Sequence, residues 1–436
     1  MSNHHKLRQC NVSFGLAIGL LAICLAIGYG LSQQKPLWND EIYTQVYTLE
    51  GNSYKNVLLG RLPEGNNCPL FYLIQKGIGD LFQYRFPQKW QGEWNVVDAR
   101  GQAILRLGPN VFMSLAIVSI FYFFASYYSW WAGIYALGVS LSSFMVWAYW
   151  GEARPYALWF FLTTMQSLLF LRLIREEKPG SSHWGWLVVT HWLLSFTVVF
   201  SIAQNIIVSS LLWIAKERNG PSRLFQTSLT MFYLNSTDAV NTEFTTSTPR
   251  RCIREKCSQG LLKRCTRYLL LTVVPSCIAL YYYSQSLKVK FWFADSPLQL
   301  IYANIPQDRI LLLIGYALTL LFYSMGKNKE NVRRILTLFG WDGRYYLALS
   351  ALTFLAAVTL LTAFKLGDTH GREGFAISSR YFIYLTPIGI IATTLFSVHL
   401  FRVFKEQTWM RVNLVIGLGG LLIIRFLRTL MDVAAL

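Results

Sequence analysis

The chain has 436 residues, of which 53% are hydrophobic, 16% aromatic and only 14% charged. Soluble domains carry about 25% charged residues, and the mean hydropathy of this chain is +0.35. The composition therefore excludes an ordinary soluble protein. Stretches of roughly 20 apolar residues recur along the chain and predict transmembrane helices.

The net charge of +18 comes from 40 Lys and Arg residues against 22 Asp and Glu residues. Such a charge occurs in nucleic-acid-binding proteins, but it also arises when Lys and Arg collect in the cytoplasmic loops of a membrane protein. The basic residues lie between the apolar stretches, as in "RRCIREKCSQGLLKRCTR" (250–267). We interpret the charge as a topology signal and expect no nucleic-acid partner.

Apolar length predicts an all-α polytopic membrane protein with eleven transmembrane helices. The first span follows a short basic segment, as in a signal peptide, but it lacks an A-x-A cleavage site and is interpreted as an uncleaved anchor. With the N-terminus in the cytoplasm, the most basic segments are cytoplasmic too, as the positive-inside rule requires. The predicted spans cover residues 12–32, 107–127, 129–149, 155–174, 185–201, 203–215, 268–286, 309–325, 345–364, 381–400 and 412–431.

The stretch 185–215 leaves two topologies open. Its 31 residues would form about 46 Å of helix, which is short for two spans and a turn. A single span would reverse the orientation of everything downstream and place the basic loop 216–267 outside. We favour two short helices with a tight turn near "AQN" (203–205).

Two loops differ from the rest of the chain. Loop 33–106 is the first exoplasmic loop under this topology, and it is predicted to contain short surface helices such as 69–82, "PLFYLIQKGIGDLF". Loop 216–267 is cytoplasmic, basic and rich in Ser and Thr, and its composition predicts partial disorder.

Four outward-facing segments carry the polar residues that could form a site. They are Asp40 and Glu41 in "LWNDEIYTQVY", the run "NNCPL" (66–70), the segment "YWGEARPYALW" (149–159) and the segment "HGREGFAISSRYFIY" (370–384). All four lie on the same side of the membrane under the predicted topology. They could therefore meet at the outer membrane surface.

Each charged candidate has a structural and a functional interpretation. Asp40 and Glu41 could be solvated loop acids, or one carboxylate could act as a general base. Glu152 and Arg154 could form an interfacial salt bridge, but ionisable residues at membrane depth tend to mark functional sites. Arg380 could reach the lipid headgroups, or it could clamp a phosphate through bidentate hydrogen bonds.

Taken in order, these segments resemble a known enzyme family. "WNDEIYTQVYTL", "NNCPLFYLIQKGIGDLF", "RLGPNVFMSLAIVSIFYFFA" and "YWGEARPYALWFFLTTMQSLLFL" resemble the glycosyltransferase family 39 and protein-mannosyltransferase-like branch of the GT-C superfamily, which is related to aminoarabinose transferase-type enzymes. "SSRYFIYLTPIGIIA" resembles the segment that opens a late span in that family. The resemblance covers residues 10–215 closely and 268–400 loosely.

The resemblance implies a single GT-C transmembrane domain over residues 1–436, in an enzyme that transfers sugar from a polyprenyl-phosphate donor on the exoplasmic face. The expected partners are this donor, membrane lipids and a glycan, lipid or protein acceptor. The resemblance assigns catalysis to Asp40 and Glu41, and binding of the donor phosphate and carrier to Arg154, Arg380 and Tyr381. It assigns the lining of the cavity to Glu152 and Tyr156. We add Trp38, an aromatic residue expected at headgroup level, and Asn67 as further candidates for the lining.

The chain also departs from the family pattern. Many relatives carry a His-Pro-Pro-Leu-like run where this chain has Asn67, Cys68, Pro69 and Leu70. A role for a divalent cation therefore stays open, and the sequence requires no metal.

The resemblance leaves rival functions open, namely a lipid-linked sugar flippase or transporter, an O-antigen ligase or polymerase and a non-catalytic GT-C relative. The short chain favours the inner or plasma membrane of a bacterial cell over the endoplasmic reticulum. The sequence does not identify the sugar or the acceptor.

Overall fold

The computed structural model describes residues 14–62, 69–86, 98–176, 181–219, 266–286, 340–366, 379–404 and 408–434. Across these ranges the chain forms helices and turns and contains no β-strand. The α-helices are α1 (Phe14–Gln34), α2 (Asn39–Tyr43), α3 (Tyr54–Leu58), α4 (Pro69–Leu81), α5 (Ala99–Tyr127), α6 (Trp130–Leu141), α7 (Phe144–Trp150), α8 (Tyr156–Arg175), α9 (Ser181–Ser195), α10 (Ser201–Asn219), α11 (Val274–Ser286), α12 (Gly340–Leu366), α13 (Leu385–Val403) and α14 (Thr408–Ala434). Two π-helical turns (Thr44–Leu49 and Leu269–Val273) and a 3₁₀ turn (Ser379–Phe382) complete the described elements.

Six of the described helices are long and apolar enough to cross a membrane. The prediction of a helical membrane protein is thereby confirmed, and the six helices are α1, α5, α8, α12, α13 and α14. The predicted span 309–325 and most of loop 216–267 lie outside the described residues.

The last residues of the predicted loop 33–106 are helical. Helix α5 begins at Ala99, because the Asp98 carboxylate accepts a hydrogen bond of 2.7 Å from the backbone N–H of Gly101 and so caps the helix. Its 29 residues extend over about 43 Å. The polar first two turns are therefore part of the long helix, although apolar length alone assigned them to the loop.

The predicted span 129–149 is interrupted. Helices α6 and α7 meet at an angle of 68° around Ser142 and Ser143. The break leaves carbonyl groups that need donors, and side chains supply them: the Thr429 hydroxyl donates to Ser142 O at 3.2 Å, and the Trp147 indole donates to Leu141 O. The chain is thus redirected within an apolar stretch whose composition gives no sign of a break.

The stretch 185–215 forms two helices, α9 and α10, but the turn between them lies at 196–200 rather than at 203–205. Gln204 and Asn205, which suggested a turn, lie inside α10. Gln166 of α8 donates to Asn205 at 2.9 Å and accepts from Gln204 at 2.5 Å. These polar residues therefore join two helices, as buried amides often do in membrane bundles.

Helix α5 is at the centre of the packing and contacts α1, α6 and α8. Near its middle, Asn110 donates to Leu25 O of α1 at 3.0 Å and accepts from the Trp150 indole of α7 at 3.2 Å. Gly28 of α1 lies directly against Asn110 and Trp150. The absence of a side chain at Gly28 allows the three helices to meet.

A substitution at Gly28 tests this junction. A Cβ atom there would overlap Asn110 Oδ1 and Trp150 Nε1, so Gly28→Ala should lower the free energy of unfolding by about 1–3 kcal/mol. Gly19→Ala is the matched control on the same helix, because a Cβ atom there would have no heavy atom within 4 Å apart from its chain neighbours and the backbone of its own helix. Unfolding in mixed micelles, followed by tryptophan fluorescence, measures both variants. Equal stability of the two variants would contradict the packing.

Candidate functional site

The carboxylates of Asp40 and Glu41 have different environments, and the Glu41 side chain is fully buried. The Glu41 side chain is 1% exposed and the Arg106 side chain 2% exposed. Arg106 Nε donates to Glu41 Oε1 at 2.9 Å, and Nη2 donates to Oε2 at 2.6 Å. This is a bidentate ion pair between α2 and α5.

Arg106 also binds the end of α1. Nη1 donates to Ser32 O at 2.8 Å and to Lys35 O at 2.6 Å, and Nη2 donates to Pro36 O at 2.9 Å. All five N–H groups of the guanidinium thus find acceptors. The last carbonyl groups of a helix have no partner within the helix, and here Gln102 adds donors to Ser32 O and Lys35 O at 2.6 and 2.7 Å.

Glu41 extends the same network to the loop between α7 and α8. Its Oε1 accepts from the backbone N–H of Ala153 at 2.6 Å, and its Oε2 accepts from the backbone N–H of Trp38 at 3.2 Å. The carboxylate therefore holds α2, α5 and loop 151–155 together. It has the surroundings of a positioning group rather than of an accessible base.

Asp40 faces a different arginine. Arg154 Nη2 lies 3.7 Å from Asp40 Oδ2, and the two side chains are 13% and 24% exposed. Arg154 Nη1 also donates to Thr44 Oγ1 at 2.8 Å and to Asp40 O at 3.2 Å. Asp40 and Arg154 form a partly accessible pair of opposite charge, as required for chemistry on a ligand.

A tight turn brings Arg154 to this position. The backbone N–H of Arg154 donates to Glu152 O at 2.7 Å, which is the three-residue spacing of a γ-turn. Glu41 binds the central residue, Ala153. The buried ion pair is thus connected to Arg154 through one turn of backbone.

Lys35 is a further cation beside the site. Its Nζ donates to Ala148 O at 3.4 Å. Burial lowers the pKa of Lys35, and the negative charge of Glu152 opposes this effect. Lys35 follows α1 directly, at the end of the membrane span.

Tyrosine side chains lie close to the 151–155 loop. The Tyr156 ring lies 4.7 Å from the ring of Tyr149 and 6.4 Å from the ring of Tyr381, measured between centroids. The Tyr72 hydroxyl is 3.5 Å from Arg154 Nη1. The structure therefore places the rings of Tyr156 and Tyr381 in contact.

The remaining predicted residues differ in how they are placed. Trp38 precedes α2 and is 44% exposed, at the surface rather than inside a cavity. Arg380 belongs to the 3₁₀ turn that contains Tyr381. Asn67 and the segment 370–378 lie outside the described residues. Across the described ranges no three His, Cys, Asp or Glu side chains converge in a way that could hold a metal ion.

Arg106, Gln102 and Lys35 were not among the predicted site residues. All three fall within the predicted loop 33–106, and Arg106 is its last residue. The available signal was their spacing, because Gln102 and Arg106 are four residues apart and share one face of a helix.

No protein-family model matches the chain, and no curated protein shows a significant match to it. The resemblance to the GT-C superfamily therefore stays an interpretation of the sequence.

Removal of one partner tests the buried ion pair. Arg106→Met should lower the free energy of unfolding by about 3–5 kcal/mol, because it leaves the Glu41 charge buried without its partner. Adding Glu41→Gln should restore part of this loss, since it removes the unpaired charge and the amide oxygen can still accept from the backbone N–H of Ala153. Unfolding in mixed micelles measures all of the variants.

The matched control for this pair is Arg172→Met. Arg172 and Glu176 form an ion pair of 2.8 Å whose side chains are 40% and 31% exposed, so the expected change is below about 1 kcal/mol. If Arg106→Met and Arg172→Met cost the same, the buried pair does not organise the site.

Proposed function

We propose that the protein is an integral membrane glycosyltransferase that moves a sugar from a polyprenyl-phosphate donor to an acceptor on the exoplasmic face. The observation that carries this proposal is the partly exposed Asp40 carboxylate, held beside the Arg154 guanidinium where loop 151–155 meets α2. An accessible carboxylate and a fixed cation are the two groups that this transfer needs.

The reaction assigns one role to each group. Asp40 accepts the proton of an acceptor hydroxyl or amine, whose oxygen or nitrogen then forms a bond to the anomeric carbon of the sugar. The bond between that carbon and the phosphate oxygen breaks, and polyprenyl phosphate leaves with inversion at the carbon. The leaving phosphate gains negative charge, which Arg154 is placed to stabilise. Arg380, Tyr381 and Lys35 are further candidates for contact with the phosphate or carrier.

The surroundings of the two carboxylates support different roles. Glu41 receives four hydrogen bonds and is buried, so it has little capacity to accept a proton from a ligand. Asp40 is the more exposed of the two. We therefore assign proton transfer to Asp40 and positioning to Glu41.

A second candidate is a transporter or flippase for a lipid-linked sugar. The 68° break between α6 and α7 favours it, because transporters bind substrates beside discontinuous helices. Transporters usually have such helices in pairs related by an internal repeat, and the sequence contains no repeat that we recognise. A non-catalytic relative would keep the fold without donor turnover.

Donor turnover in proteoliposomes tests the role of Asp40. Wild type should consume one member of a panel of polyprenyl-phosphate sugars, and Asp40→Asn should lower the rate by about 10²–10⁴-fold, since loss of a general base has this effect. Asp80→Asn is the matched control, because Asp80 is an exposed acid that accepts a hydrogen bond from Tyr54 in the same loop region. Wild-type activity of Asp40→Asn would exclude Asp40 as the base. Translocation without donor turnover would support the flippase.

A second test concerns Arg154. Arg154→Lys keeps the charge but loses the planar fork of donors, and it should reduce kcat by about 10²-fold or more if the arginine stabilises the leaving phosphate. Arg100→Lys is the control, because Arg100 is exposed and donates to Phe82 O. Equal activity of the two variants would remove Arg154 from the proposed mechanism.

A further inference from the structure

The segment that carries Asp40 has two faces of different character. Ile42, Gln45 and Leu49 are 4%, 0% and 1% exposed and pack into the protein. Tyr43 and Tyr47 lie on the other side and are 38% and 40% exposed. We call these two tyrosines the ring pair.

The helical spacing of the two tyrosines brings their rings together. Tyr43 ends α2, Tyr47 lies in the π-helical turn Thr44–Leu49, and side chains four residues apart are neighbours on a helix. The ring centroids of Tyr43 and Tyr47 are 5.7 Å apart, and the ring planes differ by 28°. The rings are therefore stacked on each other, and each is more than a third exposed.

The ring pair is continuous with the candidate site. Tyr43 follows Asp40 by three residues, which is about 4.5 Å along a helix axis and comparable with the width of one sugar ring. Thr44, between Tyr43 and Gln45, donates to Asp40 O at 2.9 Å and accepts from Arg154 at 2.8 Å. The same short segment thus holds the proposed base and presents the rings.

We propose that the ring pair is the acceptor subsite and binds a carbohydrate, whose pyranose ring stacks on an exposed face of the pair. The negative face of an aromatic ring attracts the weakly positive C–H groups on one face of a sugar. The proposal rests on the proposed function of Asp40, because a sugar bound there would bring a hydroxyl group to that carboxylate.

The charges around the ring pair favour a sugar over the bilayer. Interfacial anchoring is the usual role of exposed tyrosines in membrane proteins. Here, however, Asp40 precedes the pair and Glu50 follows it, and Asn52 donates to Tyr47 O and Glu50 O at 3.0 and 3.3 Å. Carboxylates are repelled by anionic headgroups, but they accept hydrogen bonds from sugar hydroxyls.

Saturation-transfer NMR on the full chain in nanodiscs tests the subsite, with methyl α-mannopyranoside, methyl β-galactopyranoside and methyl N-acetyl-β-glucosaminide as probes. Wild type should transfer saturation to the C–H protons of at least one probe. Tyr43→Ala and Tyr47→Ala should reduce that signal by about fivefold or more, whereas Tyr43→Phe and Tyr47→Phe should keep it, because stacking needs the ring and not the hydroxyl. Tyr54→Ala is the control, since Tyr54 is 45% exposed but donates to Asp80.

Two results would overturn the subsite. One is the absence of transfer to every probe in wild type. The other is an unchanged signal in the Ala variants, and if these variants also reconstitute poorly into nanodiscs, the rings belong to the bilayer interface.

Donor turnover, measured in the same samples, separates the subsite from the proposed function. If Asp40→Asn is active and the Ala variants lose the sugar signal, the base assignment is wrong and the subsite stands. If Asp40→Asn is inactive and the Ala variants bind like wild type, the base stands and the subsite is wrong.

Discussion

The buried ion pair between Glu41 and Arg106 is the interaction on which the rest of the site depends. Moving two charges out of water is expensive, and their attraction offsets this cost only when the remaining donors and acceptors are also satisfied. Here Arg106 binds three carbonyl groups at the end of α1, and Glu41 binds two backbone N–H groups. A pair with so many backbone partners fixes chain positions as well as side chains. Loss of either charge would therefore release α1, α2 and loop 151–155 together.

The broken helix brings that loop to the ion pair. A straight helix over 130–150 would continue past the site, whereas the bend of 68° turns α7 towards α1 and α5. Trp150 at the end of α7 then donates to Asn110 and Ser114, each at 3.2 Å. Gly151 lies so close to Ser32 that a Cβ atom would be 3.3 Å from its Cα and Cβ atoms. The break within the bundle and the γ-turn around the buried Ala153 are thus two parts of one path, which ends at Arg154.

The sequence predicted the long apolar helices, because apolar length is enough to identify them. It also offered Asp40, Arg154, Tyr156 and Tyr381 as site candidates, which the structure places in two pairs, Asp40 with Arg154 and Tyr156 with Tyr381. It did not predict which carboxylate would be buried. Asp40 and Glu41 have the same chemistry and are adjacent in the chain, but successive residues of a helix point about 100° apart, so only the position of Arg106, 65 residues further along, decides between them. The break at Ser142 and the place of Gln204 and Asn205 were missed for the same reason. Their partners, Thr429 and Gln166, are remote in sequence.

The segment 39–49 combines these constraints. The Glu41 side chain binds Arg106 inside the protein, and Thr44 Oγ1 accepts a hydrogen bond from Arg154. These two contacts fix the path of the backbone. A regular α-helix would continue with i→i+4 hydrogen bonds, but the chain instead widens into a π-helical turn directly after Tyr43, a feature that is frequent at functional sites. Along this segment Gln45 and Leu49 are buried, whereas Tyr43 and Tyr47 stack on the outside. The geometry that fixes the proposed base therefore also determines the surface that an acceptor would meet first.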